Sequence, residues 1–157
     1  MNTRSLRLIV AGLWLGGLAA VGGIGAPTAF SVVPQKMLAA AVASTMFYKM
    51  ALVGLACGAV LLMLERGHAR SIARSTPLLL ILGGLLFDVL CQFGVVPHLL
   101  QAAATQAPDA MKWHIAASAT FLLELVCVLA YVWLLGSRGG SDASDPGDSA
   151  ESDLLGT

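Results

Sequence analysis

The stretch PLLLILGGLLFDVLCQFGVVP, residues 77–97, is apolar except for one charged side chain, Asp88, and one amide, Gln92. A helix needs about 20 predominantly apolar residues to cross a bilayer, and this run is long enough to do so. Three others match it: Leu8–Gly25, Met37–Leu64 and His114–Leu135. Well inside the four runs, the charged residues are Lys49, Asp88 and Glu124. The reading is an all-α fold, a four-helix transmembrane bundle with helices at about 6–26, 37–64, 77–97 and 112–136. Residues 1–136 form that domain, and residues 137–157 a disordered acidic tail of Gly, Ser and Asp that has no means of burying a core.

Composition agrees. Of 157 residues, 57% are hydrophobic and 11% charged, against about 25% charged in soluble domains. Zero net charge gives no nucleic-acid footprint, and the lipid bilayer is the expected partner. The length leaves no room for a separate soluble catalytic domain. Cys57, Cys91 and Cys127 lie one in each of the last three runs, with no CxxC pair, and read as small buried hydrophobes. Residues 1–26 resemble a secretory signal, but the run is long, holds Trp14 and leads into Pro27, so a retained first helix is expected.

Arginine placement sets the expected orientation. Arg4, Arg7, Arg66, Arg70, Arg74 and Arg138 fall on one side, and Lys36 and Lys112 on the other. The positive-inside bias puts both termini in the cytoplasm, with a bacterial inner membrane as the expected location. Pro27 and Pro34 are expected to bound a loop, Gly67 to stop the second helix, and Pro97 to kink or end the third. His98–Ala107 can extend that helix, and Pro108 and Asp109 restart the chain. Gly12, Gly16, Ala20 and Gly23 give the first helix one smooth face, and Gly54 and Gly58 repeat it on the second. Such small-residue seams let backbones approach closely in lipid.

Intramembrane charge costs a few kcal/mol and usually has a function or a partner. Asp88 and Glu124 are each eleven residues from a cytoplasmic helix end, about 16 Å deep at 1.5 Å per residue. Lys49 is about 24 Å from the same side by the same rise. With Gln92, these residues are the candidate intramembrane polar cluster. Three stripes carry them: Asp88, Cys91 and Gln92; Thr120, Glu124, Cys127 and Tyr131; Thr45 and Lys49. Each should face protein or water. Side chains lean toward their own helix N-terminus, so Lys49 leans away from the level of Asp88 and can instead snorkel outward.

Three roles follow for the cluster: a structural tie, a site that binds or conducts a small molecule, ion or proton, or no cluster at all. His98, Met111 and His114 flank one outer loop and are candidate metal ligands, since imidazole and thioether suit copper or haem iron. Otherwise no cofactor is expected. No nucleophile elbow, phosphate loop or paired-carboxylate signature points to an enzyme. The glycine faces allow a homo-oligomer or a scaffold within a larger membrane complex.

Trp14-Leu15-Gly16-Gly17, Ala26-Pro27-Thr28-Ala29-Phe30 and Val33-Pro34 resemble the first-helix signature of the transmembrane-protein-205-like domain family. Phe47 within Thr45–Tyr48, Gly54–Gly58 around Cys57, Gln92–Pro97 and Trp113-His114 continue the resemblance in order, over about residues 6–135. It implies a four-helix membrane module of uncharacterised function. An acid or amide is common where Gln92 stands, and one position departs: a Ser follows the His by three where this chain has Ala117. Lys49 and Glu124 match nothing in the family pattern. More distantly the family is similar to small bundles of copper handling and haem-linked redox chemistry, which implies a role for His114.

Overall fold

A computed structural model describes residues 3–66 and 75–137. Arg70, Arg74, the expected stop at Gly67 and the acidic tail from Arg138 lie outside the described residues. Among those described, all regular structure is helical, and four helices are long and apolar enough to cross a membrane.

The first span runs Thr3–Val32: α1 (Thr3–Ala20), a π-helical turn (Val21–Gly25) and α2 (Ala26–Val32). The second is α3 (Lys36–Arg66), unbroken. The third repeats the design of the first: α4 (Thr76–Val89), a π-helical turn (Leu90–Val95) and α5 (Val96–Ala104). The fourth is α6 (Ala110–Ser137).

The expected stop at Pro27 is therefore corrected, and Pro97 kinks its helix rather than ending it. Proline lacks an N–H and its ring crowds the carbonyl four residues back. In both spans a widened turn absorbs that conflict. The Ala26 N–H bonds Val21 O and the Val96 N–H bonds Cys91 O, each five residues back, just before Pro27 and Pro97. π-Bulges of this kind are an established cause of kinks. Pro34 is what ends the first span. Val33 before it is extended, at φ −89° and ψ 113°, the conformation that the proline ring favours in its predecessor. Pro77 enters α4 in its first turn, where no intrahelical N–H is needed.

α1 packs on α3 and α6, and α4 packs on α3 and α6, closing a four-membered ring. Its core includes Ala11, Trp14, Leu18, Leu61, Ile81, Val128 and Tyr131. The outward faces are apolar, with Ile9, Leu13, Met63, Leu86, Val126 and Trp133 all exposed, as hydrocarbon solvation requires. Beyond the two π turns the ring divides. α2 stays on α3, and α5 stays on α6. The molecule thus consists of two halves, α1–α3 and α4–α6, each a kinked helix followed by a straight one.

One small-residue seam forms and the other does not. A Cβ on Gly54 would press on Trp14 and Asp88, and one on Gly58 on Leu85. At Gly12, Gly16 and Gly23 nothing lies within 4 Å of such a Cβ. The first helix turns Ala11, Trp14 and Leu18 inward instead, because a large aromatic ring supplies more buried contact than a glycine face.

Candidate functional site

Trp14, from α1, is 1% exposed, and its indole passes between two glycines of neighbouring helices. A Cβ on Gly54 of α3 would lie 2.8 Å from Nε1, and one on Gly84 of α4 would lie 3.1 Å from the far edge of the ring. Glycine at both positions is what admits the indole. There Nε1–H donates a 3.1 Å hydrogen bond to Glu124 Oε1 on α6. Asp88, on α4, closes the group: its Oδ2 would lie 2.9 Å from the same Gly54 Cβ. All four spans therefore meet around one buried polar centre. Asp88 and Glu124 are each 3% exposed. Glu124 has the indole as donor, whereas Asp88 Oδ2 is buried with no hydrogen-bond partner among the described residues.

Above this centre, between the separated halves, lies a cavity of about 840 Å³. Asp88 and Glu124 form its floor, and Phe30, Phe47, Leu99 and Phe121 are among its apolar walls. Cys91, Gln92 and His114 also line it. A shallower recess of about 240 Å³ beside it is lined by Thr45, Tyr48 and Gln92. Ser44 and Ser118 turn their hydroxyls back to the carbonyls of Ala41 and His114, so neither offers its proton to the cavity. Among the described residues, none of those lining the cavity is a lysine or an arginine.

The structure brings together Asp88, Gln92 and Glu124 of the expected cluster. Lys49 does not join them: it is exposed on α3, whose buried face runs through Met50, Ala51 and Gly54. Thr45 is likewise exposed and bonds back to Ala41 O, so the Thr45–Lys49 stripe is corrected to an outward-facing one. The α6 stripe is close to expectation, with Thr120, Glu124, Val128, Tyr131 and Leu135 buried and Cys127 beside it. His98 is exposed and stacks on Trp113 at 4.6 Å. Met111 and His114 line the cavity. Among the described residues no group of three His, Cys, Asp or Glu is placed to hold a metal ion.

A second polar group lies at the other end of the bundle. Tyr131 OH donates to Glu65 Oε1 at 3.0 Å, and Arg7 forms a 3.5 Å ion pair with the same oxygen. Arg7 also donates to Leu64 O at 2.8 Å, and Arg4 to Leu135 O at 3.4 Å. The sequence placed Glu65 just past the second helix at 37–64, and Trp14 entered only as a mark against a cleaved leader and as part of the family resemblance. The available signals were chemical. A buried indole N–H usually finds an acceptor, and Arg7 and Glu65 sit at the same expected membrane level.

A family model described as a domain of unknown function, DUF4149, matches residues 9–108, and the chain belongs to that family. The match contains Trp14, Gly54, Gly84, Asp88 and both proline kinks, and ends before Glu124. No curated protein and no solved structure matches the chain.

Proposed function

We propose that this is an integral membrane protein that binds a small, largely apolar molecule in the cavity between its halves. The ligand would be held by a hydrogen-bond-donating or cationic group against Asp88 and Glu124. The observation that carries the reading is the buried, unpartnered oxygen of Asp88 at the floor of an apolar space. An unsatisfied buried acceptor costs about 1–3 kcal/mol, which a ligand donor would recover. The volume lies within the roughly 300–1,000 Å³ of ordinary ligand sites. With acceptors at the floor and no basic residue on the walls, the site favours a donor over an anion.

Arg4, Arg7 and Arg66 gather at one end of the bundle, with Lys36 and Lys112 toward the other, which supports cytoplasmic termini in a bacterial inner membrane. The cavity then opens away from the cytoplasm. The resemblance to the transmembrane-protein-205-like family belongs to this same proposal; like the matched domain of unknown function, it carries no established activity.

The test is mass spectrometry of small molecules carried through purification. Wild-type protein should retain a donor-bearing apolar species that Ala117→Phe, which fills the cavity, and Asp88→Asn both lose. Equal recovery from all three proteins would refute the reading. A second reading rests on Gly12, Gly16 and Gly23, which face outward with open space beside them: α1 docks on a helix of a second copy or a larger complex. Gly16→Leu would then shift the mass of the complex without altering ligand recovery.

A further inference from the structure

The cavity is closed at the end where Arg7 lies, and the bonds that close it run between the two halves. Tyr131, in α4–α6, donates to Glu65, in α1–α3. Arg4, in α1–α3, donates to the carbonyl of Leu135, in α4–α6. Trp14 and Glu124 make a third crossing at the cavity floor. Arg7 and Trp14 are seven residues apart on α1, as are Glu124 and Tyr131 on α6, a separation of about 10 Å along each helix. The two levels therefore sit on the same helix faces, two turns apart. Between them Ala11, Leu61 and Ile81 are 0–1% exposed and leave no path. At the other end the kinks hold the halves apart.

We propose that the protein is a carrier rather than a fixed receptor, that its halves rock about the Trp14–Glu124–Asp88 level, and that Arg7, Glu65 and Tyr131 form the gate, closed in this structure. The claim rests on the cavity being a ligand site and adds passage through it. Rocking of two similarly built halves about a mid-membrane site is a general solution to alternating access. Polar contacts suit such a gate. An apolar seam between helices has no competing partner in lipid, whereas Glu65, Arg7 and Tyr131 sit near the bundle end, where water can replace each bond when it opens. Two donors, Arg7 and Tyr131, converge on one oxygen of Glu65, so displacing that carboxylate releases both at once.

Cys91 lines the cavity and reports on access without knowledge of the ligand. With Cys57 and Cys127 replaced by Ala, a membrane-impermeant methanethiosulfonate reagent would be applied to vesicles of either orientation. Cys91 should react rapidly from the Met111 side and only slowly from the Arg7 side. Tyr131→Phe, and Tyr131→Phe with Glu65→Gln, should raise its rate from the Arg7 side by about tenfold, the factor that one ordinary hydrogen bond holds. Labelling confined to the Met111 side in both variants overturns the gate and leaves the binding site standing. No labelling of the parent protein from the Met111 side overturns the binding site and the gate together. Tyr131→Phe removes one hydroxyl and keeps the ring, so the result does not depend on the double variant folding.

Discussion

Replacing Gly54 by Ala tests the polar centre most directly. The new methyl carbon would lie 2.8 Å from Trp14 Nε1 and 2.9 Å from Asp88 Oδ2, inside any normal contact distance. The indole has nowhere to retreat, because its opposite edge already lies against Gly84. Overpacking of a filled core costs about 1–3 kcal/mol. Turning the indole away also strips Glu124 of its donor, and a buried acceptor left unsatisfied costs about 1–3 kcal/mol. Against these stands the helix preference for Ala over Gly, at most about 1 kcal/mol. The net expectation is a loss of about 2–4 kcal/mol, the sum of those terms when the clash is partly relieved by movement. Gly16→Ala is the control, since it places the same methyl in open space and should change stability by no more than about 1 kcal/mol, in the stabilising direction. Unfolding in mixed micelles, followed by far-ultraviolet circular dichroism against denaturing detergent, measures both. If Gly54→Ala unfolds with the wild type, the indole does not occupy the slot and the centre described above is wrong.

Trp14→Phe keeps an aromatic ring but removes the N–H, and should lower stability by about 1–3 kcal/mol because Glu124 loses its donor; in a double-mutant cycle with Glu124→Gln, thermal melts should give a coupling above about 0.5 kcal/mol. Lys49→Gln, at an exposed position, should stay within about 0.5 kcal/mol of wild type in the same melts and leave small-molecule recovery unchanged. Pro27→Ala and Pro97→Ala each remove the ring that the π turn accommodates; the spans should straighten, the halves approach, and sided labelling of Cys91 slow several-fold. Gly58→Leu should be more damaging than Gly12→Leu, because a Cβ at 58 already collides with Leu85 while position 12 is open, and expression of folded protein by size-exclusion chromatography ranks them.

The spans were legible because hydrocarbon leaves the sequence few options: long apolar runs read the same way whatever they pack against. Asp88 and Glu124 were legible for a related reason, since equal depth on two helices is a matter of counting 1.5 Å steps. What escaped was the direction that the first and second spans face. α1 carries both a glycine stripe and a tryptophan, and either could have turned inward; only the presence of Gly54 and Gly84 opposite, a slot of indole thickness, decides for Trp14. The same holds for Lys49, whose helix has small residues on several faces and was placed by Gly54 meeting Trp14. The prolines misled because their effect depends on the turn before them. Pro27 and Pro97 follow flexible or widened turns and stay inside their helices, whereas Pro34 acts on an extended Val33 and ends one.

That distinction between prolines bears on function. Straight helices in this ring would pack along their whole length, and the carboxyls would be sealed in a dry core, where an unpartnered oxygen such as Asp88 Oδ2 has only its desolvation cost. Two π turns, placed at matching points of the first and third spans, split the ring at the level just above those carboxyls. The cavity and the acceptor at its floor thus arise from one device used twice, and the Glu65 contacts at the opposite end become the counterpart that keeps the halves joined. A purely structural role for Asp88 predicts that closing the kinks would stabilise the protein with no other consequence. A binding role predicts that Pro27→Ala with Pro97→Ala stabilises it while abolishing small-molecule recovery, and measuring both quantities on that one variant separates the two.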